Sequence, residues 1–233
     1  MSNNARYWVM IPAAGVGTRM GDDIPKQYIS INGKTIIEHT LDCFIQREEI
    51  EGIVVAISKE DEYWSTLSVS NNEKIMIAPG GDERFQSVLN GLHTLTDKAQ
   101  DNDWVLVHDA ARPCLKQSVI DRLIIKLRTH DIGGILALPC RDTMKRSNAA
   151  GEIFETVERE NLWHAQTPQM FKLGKLLAAI EKALNNNVHV TDEAMAMELS
   201  GYKPLLVQGH PENIKVTHKE DLKYMEMYLD QGA

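Results

Sequence analysis

Residues Ile11 to Tyr28 read IPAAGVGTRMGDDIPKQY and follow the apolar run Tyr7 to Ile11. A buried strand that runs into a loop of small residues lets backbone N–H groups approach an anionic ligand closely. Gly15-x-Gly17 begins like a dinucleotide-binding loop. That loop needs a third glycine, and an acidic residue closing a second strand about 20 residues on. Here Met20 stands in the glycine's place, and the next strand-like run, Ile53 to Ile57, ends in Ser58-Lys59. A Walker A loop fails as well, because no Gly-Lys-Ser/Thr closes the segment. What fits is a polyphosphate loop, with Arg19 and Lys26 as neutralising cations. Solvated cations beside an ordinary turn are the bland alternative; the buried strand and the paired cations weigh against it.

The pattern continues outward from that loop. Apolar strand-like runs occur at 53–57, 74–78, 104–107 and 134–138, and a last short one at 204–207. Amphipathic helical stripes fall at 35–45, 84–95, 118–128 (Ser118 as cap), 173–184 and 220–229. Another helix is expected to start at Thr191 as cap and to stop at Gly201. Near-continuous apolar strands alternating with helices predict an α/β fold, a mostly parallel sheet covered on both faces. In such sheets ligands bind beyond the carboxyl ends of the strands. The glycine loop, Gly80-Gly81-Asp82 and Asp109 to Arg112 all fall there.

Between about 139 and 162 the pattern breaks. The segments 142–146 and 153–157 flank the turn-rich stretch Ser147 to Gly151, which predicts a projecting hairpin. It is too short and polar to be stable alone and needs a partner surface. The 233 residues form one domain with this stretch as an insertion, and no internal repeat or linker.

Composition narrows the function classes. A formal net charge of −8 argues against extended nucleic-acid binding. No apolar stretch is long enough to span a bilayer, no secretory signal pattern opens the chain, and three scattered cysteines suggest no disulfide framework. A cytoplasmic protein is expected.

Seven stretches taken in order are more specific than the loop alone. PAAGVGTRMGDDIPKQY at 12–28, GGDERFQSV at 80–88, VLVHDAARP at 105–113, RDTMKR at 141–146, LWHAQTPQMF at 162–171, VTDEA at 190–194 and NIKVT at 213–217 span nearly the whole chain. Together they resemble the sugar-phosphate nucleotidyltransferases, in particular the 2-C-methyl-D-erythritol 4-phosphate cytidylyltransferases of the non-mevalonate isoprenoid pathway. The resemblance implies a three-layer, Rossmann-like nucleotidyltransferase fold. It also implies transfer of CMP from CTP to the sugar-alcohol phosphate, with Mg²⁺. Arg19, Lys26 and Lys215 would stabilise the transferring phosphoryl group, and Ala13, Ala14, Gly15, Gly81, Asp82 and Ser87 would hold CTP. Asp109, Arg112, Thr143, Arg159, Thr167, Thr191 and Lys215 would bind the second substrate, with Asp109 beside the metal, directly or indirectly. The hairpin would be the arm of a homodimer, carrying Thr143 and Arg159 into the partner's pocket. His108 stands between a structural and a functional reading. Two rivals share the scaffold: a pentitol-phosphate (ribitol 5-phosphate) cytidylyltransferase, and a catalytically silent nucleotide-binding protein.

Overall fold

The computed structural model describes residues 5–15 and 24–230. In chain order the strands are β1 (Tyr7–Pro12), β2 (Ser30–Ile31), β3 (Lys34–Thr35), β4 (Ile50–Ile57), β5 (Ile75–Pro79), β6 (Trp104–Val107), β7 (Gly133–Pro139), β8 (Met144–Ser147), β9 (Ile153–Val157), β10 (Trp163–Lys172) and β11 (Leu205–Gln208). The helices are α1 (Ile36–Ile45), α2 (Arg84–Thr96), α3 (Gln117–Leu127), α4 (Leu173–Asn185), α5 (Glu193–Leu199) and α6 (Lys219–Asp230). Seven strands form one sheet in the order β11-β7-β10-β6-β1-β4-β5. β10 pairs antiparallel with both neighbours, and every other pairing in the sheet is parallel.

Strand alternation explains why the sheet is covered twice. Tyr7, Val9 and Ile11 of β1 face a core shared with α1 (Ile37, Leu41, Phe44) and α3 (Val119, Ile120, Leu123). Trp8 and Met10 face the opposite core, built with Val88 and Leu92 of α2 and Leu176 and Ile180 of α4. The same alternation holds along β4 and β6, whose central residues are fully buried. A strand buried on both faces reads as a continuous apolar run, as these do. α6 closes a third, smaller cluster through Met225 against Ile36, Ala111 and Val216.

Two helix starts differ from expectation. α3 begins at Gln117 with Lys116 at its cap, two positions before Ser118. α5 is capped by Asp192, whose Oδ1 accepts from Met195 N at 3.0 Å, so the Thr191 hydroxyl is not the cap. A carboxylate also suits the positive end of the helix dipole better than a hydroxyl. β10 is the element the sequence pattern concealed. Gln166, Thr167, Pro168 and Gln169 interrupt any apolar run, and a proline argues against a central strand. All four are buried, and the pairing with β7 breaks between Ala165 and Gln169, where the strand bulges away from the ladder. The hairpin 144–157 forms its own two-stranded sheet, apart from the main one.

Candidate active site

Loops at the carboxyl ends of β1, β4, β5 and β6 surround a cleft of about 610 Å³. That volume lies within the roughly 300–1,000 Å³ of small-molecule sites. Ala13, Ala14 and Gly15 form one wall, and Gly81, Asp82 and Ser87 a second. Lys26, Asp109 and Lys215 also line it, so nine of the residues expected from sequence meet at one place. Arg19 lies outside the described residues.

The first wall is anchored from behind. Ala13 N–H donates to Ala56 O at 2.8 Å and so extends the β1–β4 pairing. Its backbone N–H is therefore engaged, and among the described loop residues expected to offer N–H groups to a ligand, Ala14 and Gly15 remain. Gln27 Nε2 donates to Ala13 O (2.8 Å) and Gly15 O (3.0 Å), which turns both carbonyls toward the buried amide. Gly80 lets the second wall approach: a Cβ there would sit 2.2 Å from Ala14 Cβ. Ser87, 2 % exposed, accepts from Gly81 N at 3.0 Å, so its hydroxyl secures the loop that leads into α2.

Opposite stands a buried charge cluster. Asp109 accepts from Arg84 Nε through Oδ1, and from Arg112 Nε and Lys215 Nζ through Oδ2, each at 3.1 Å. Burial alone would raise its pKa. The charges of Arg84, Lys215 and Arg112 outweigh that and hold the carboxyl below the ordinary carboxylate range. Arg84 also forks onto Glu193, at 2.6 and 3.2 Å. Burial would lower its pKa, but Glu193 and Asp109 keep it firmly charged. Lys26 Nζ donates to Val216 O at 3.0 Å, and Val216 N donates to Ala111 O. The segment 213–217 is thus tied to the end of β6, and both lysines belong to that side of the cleft.

Behind Asp109 runs a neutral relay. Asp109 N–H donates to Thr167 Oγ1 (3.1 Å), whose hydroxyl meets His108 Nδ1 (3.0 Å), and His108 Nε2 meets Arg112 O (3.0 Å). The Nε2–H tautomer satisfies every partner. Burial pushes the His108 pKa down to about 4, so the ring is neutral and structural.

Several of the expected residues lie off the lining of this cleft. Thr167 does not line the cleft, because its hydroxyl is committed to Asp109 and His108. Arg112 is turned inward to Asp109 Oδ2 and Asn213 O (2.8 Å) and also stays off the cleft surface. Thr191 is exposed, with its hydroxyl on Met195 Sδ at 3.4 Å. Thr143 and Arg159 sit exposed on the hairpin, away from this cleft. Arg84, Gln27 and Glu193 were not expected at the site from the sequence, where Glu193 reads only as an acidic residue in a helix's first turn. Arg84 lies inside the quoted stretch GGDERFQSV, yet its partners are 25 and 109 positions away.

Residues 7–231 match the family described as IspD, 2-C-methyl-D-erythritol 4-phosphate cytidylyltransferase. The chain belongs to this cytidylyltransferase family. It is 50 % identical over 220 residues to the 2-C-methyl-D-erythritol 4-phosphate cytidylyltransferase of Pseudomonas entomophila, covering 94 % of each chain. It is 51 % identical over 223 residues to that of Vibrio atlanticus, covering 96 % of this chain and 95 % of the relative. The crystal structure of the Francisella tularensis cytidylyltransferase superposes with a TM-score of 0.85 at 40 % identity, covering 96 % of this chain and all of that one. The cleft brings Lys26 and Lys215 together with Ala13, Ala14 and Gly15.

Proposed function

We propose that this cleft transfers the CMP moiety of CTP to 2-C-methyl-D-erythritol 4-phosphate, releasing pyrophosphate and forming 4-diphosphocytidyl-2-C-methyl-D-erythritol. The observation that carries the reading is the meeting of Lys26 and Lys215 with the glycine loop in one cleft. CTP lies along Ala13, Ala14 and Gly15 and against Gly81, Asp82 and Ser87. The first turn of α2 sits at the same wall, where a helix N-terminus favours anions. The acceptor needs no protein nucleophile, since its phosphate is already an anion. A phosphate oxygen forms a bond to the α-phosphorus as the bond to the bridging oxygen breaks, and that electron pair leaves with pyrophosphate. Lys26, with Arg19, offsets charge on the transferring group. Lys215, held by Asp109 Oδ2, turns its remaining N–H donors to the acceptor phosphate. Fixed cations in a partly desolvated cleft stabilise such charge with little reorganisation.

Asp109 suits direct metal ligation poorly, because three cations already occupy both its oxygens. Among the described residues no group of three or more His, Cys, Asp or Glu stands ready for a metal. In this reading Mg²⁺ arrives on the oxygens of CTP, as magnesium commonly does with phosphate substrates. Asp109 then acts as counter-ion to the cations and as partner to the acceptor's hydroxyls.

The hairpin serves as a dimer arm that carries Thr143 and Arg159 to the partner's acceptor pocket. Its exposed Ile153 and Phe154 support this, since apolar side chains at a hairpin tip call for a covering surface. Among the described residues no helix is long and apolar enough to cross a membrane. Free thiols at Cys43, Cys114 and Cys140 support a reducing, cytoplasmic setting.

The test is pyrophosphate release from CTP and Mg²⁺, with 2-C-methyl-D-erythritol 4-phosphate and ribitol 5-phosphate offered in parallel. Preference for the methylerythritol phosphate is expected. Faster turnover of ribitol 5-phosphate would overturn the acceptor, and no release with either would favour a silent binder.

A further inference from the structure

Arg84 is a charged side chain of the cleft that the transfer reaction as derived does not use. It stands at the first position of α2, but its bonds reach two other elements. Nη1 and Nη2 fork onto Glu193, which heads α5 and is 2 % exposed, and Nε donates to Asp109 Oδ1. The carboxylate of Asp109 is thereby divided. Oδ1 receives Arg84, while Oδ2 receives Arg112 and Lys215.

We propose that Arg84 is a positioning residue: braced by Glu193, it fixes the plane of the Asp109 carboxylate, so that Oδ2 alone sets where the Lys215 ammonium stands. An aspartate χ2 is a broad, two-fold torsion that leaves either oxygen able to face the lysine. A guanidinium held in a bidentate fork lacks that freedom and transmits its orientation through Nε. Lysine cannot do the same, because one point charge on a flexible stem cannot define a carboxylate plane. Lys215 itself is 42 % exposed along its side chain, so no close packing holds it in place. Asp109 is its anchor, and Arg84 holds the anchor still. The inference rests on the reading of Lys215 as the ligand of the acceptor phosphate.

The experiment compares wild type, Arg84→Lys, Glu193→Gln and the double variant as full chains, with melting curves locating a temperature at which each is folded. Steady-state turnover is then measured with CTP and 2-C-methyl-D-erythritol 4-phosphate, each varied at saturation of the other. We expect kcat/KM for the acceptor to fall about 10- to 100-fold in Arg84→Lys, the scale of a small misplacement near reacting groups. KM for CTP stays within about two-fold, because uniform binding of the nucleotide is untouched. Glu193→Gln gives a smaller loss, and the double variant is no worse than Arg84→Lys alone. A purely structural role predicts equal damage toward both substrates, or additive losses, and either result overturns the proposal. So does unchanged turnover in folded Arg84→Lys. Should that variant not fold, Glu193→Gln decides by the same split. Absence of wild-type turnover would instead sink the functional reading itself.

Discussion

Acid sensitivity of the fold should trace to His108. The ring is fully buried, and burial moves its pKa from the ordinary 6.5 to about 4. The folded protein therefore holds the neutral ring, while the unfolded chain takes up a proton as pH falls through the ordinary value. Between those two values the unfolded state binds more protons, so stability falls as the solution is acidified. The contribution is complete above the unfolded value and is lost on the way down to the folded one. At 1.36 kcal/mol per unit, the shift corresponds to about 3 kcal/mol over the window, of which about 2 kcal/mol is lost between about pH 7 and pH 5. The perturbation is His108→Asn, which retains an acceptor toward Thr167 and cannot titrate. Burying a smaller group without the Nε2–H lowers its stability at every pH, by about 1–3 kcal/mol from the carbonyl of Arg112 left unpaired. The informative quantity is the slope. Urea unfolding followed by circular dichroism, at fixed protein concentration across the window, should show wild type losing stability faster than the variant. Parallel stability profiles would refute the assignment of a neutral, acid-labile His108. Asp109 adds a second loss in the same direction. Its carboxyl is held below the ordinary range, so its contribution begins to fade only below the ordinary carboxylate pKa.

Two further outcomes test the site. Lys26→Ala should lower kcat by at least about 10²-fold, comparable to removing one preorganised transition-state donor; an unchanged kcat in the pyrophosphate assay would take Lys26 out of the chemistry. Thr167→Val leaves Asp109 N–H and His108 Nδ1 without their shared partner, at about 1–3 kcal/mol for each unsatisfied group. A valine variant as stable as wild type in urea would show that the relay behind Asp109 adds nothing.

The scaffold was legible because its strands are buried on both faces. Runs such as Tyr7 to Ile11 and Trp104 to Val107 have no solvent side to break them, and four helical stripes fall between such runs at lengths suited to crossovers. The cleft was legible in outline because loops after parallel strands converge on one edge of the sheet. What stayed hidden has a common physical cause. β10 buries Gln166, Thr167 and Gln169, whose bonds go to partners distant in the chain: Gln166 Nε2 to His210 O and Asn213 O, Thr167 Oγ1 to Asp109 N, and the Gln169 amide to Asp192 and Ala194 N, while Gln166 Oε1 has no partner among the described residues. Read locally, those residues look like a loop. Arg84 looks like a surface residue in a helix's first turn until Asp109 and Glu193 are brought beside it. Ser118 and Thr191 misled in the opposite way, since each is a good cap by type but stands one or two positions from where the backbone turns. A cap preference operates within one turn; an ion cluster assembled from β6, α2, α5 and the segment before α6 has no local signature.

The arm offers the sharpest separation of fold from function. β8 and β9 pair only with each other, and their base is closed by Cys140 N–H donating to Leu162 O at 2.9 Å and by the pairing of Trp163 with Pro139. Replacing residues 141–161 with an Asn-Gly turn therefore leaves two antiparallel strands that a tight turn can join. The main sheet and both cores lose no member, so the shortened chain should fold and bind CTP. It also loses Ile153 and Phe154, 67 and 72 % exposed, along with Thr143 and Arg159. Sedimentation should then find a monomer, and pyrophosphate release should disappear while CTP still binds by calorimetry. Arg159→Ala in the full-length arm distinguishes contact from assembly: the dimer persists, KM for the acceptor phosphate rises, and CTP affinity is unchanged. Arg159 donates to the carbonyl of Arg141 at the root of the arm, so its loss removes a guanidinium without touching either core. A shortened chain that remains dimeric would place the interface elsewhere. A monomer with full turnover would mean that each cleft is complete by itself, with Lys215 of the same chain sufficing for the acceptor phosphate.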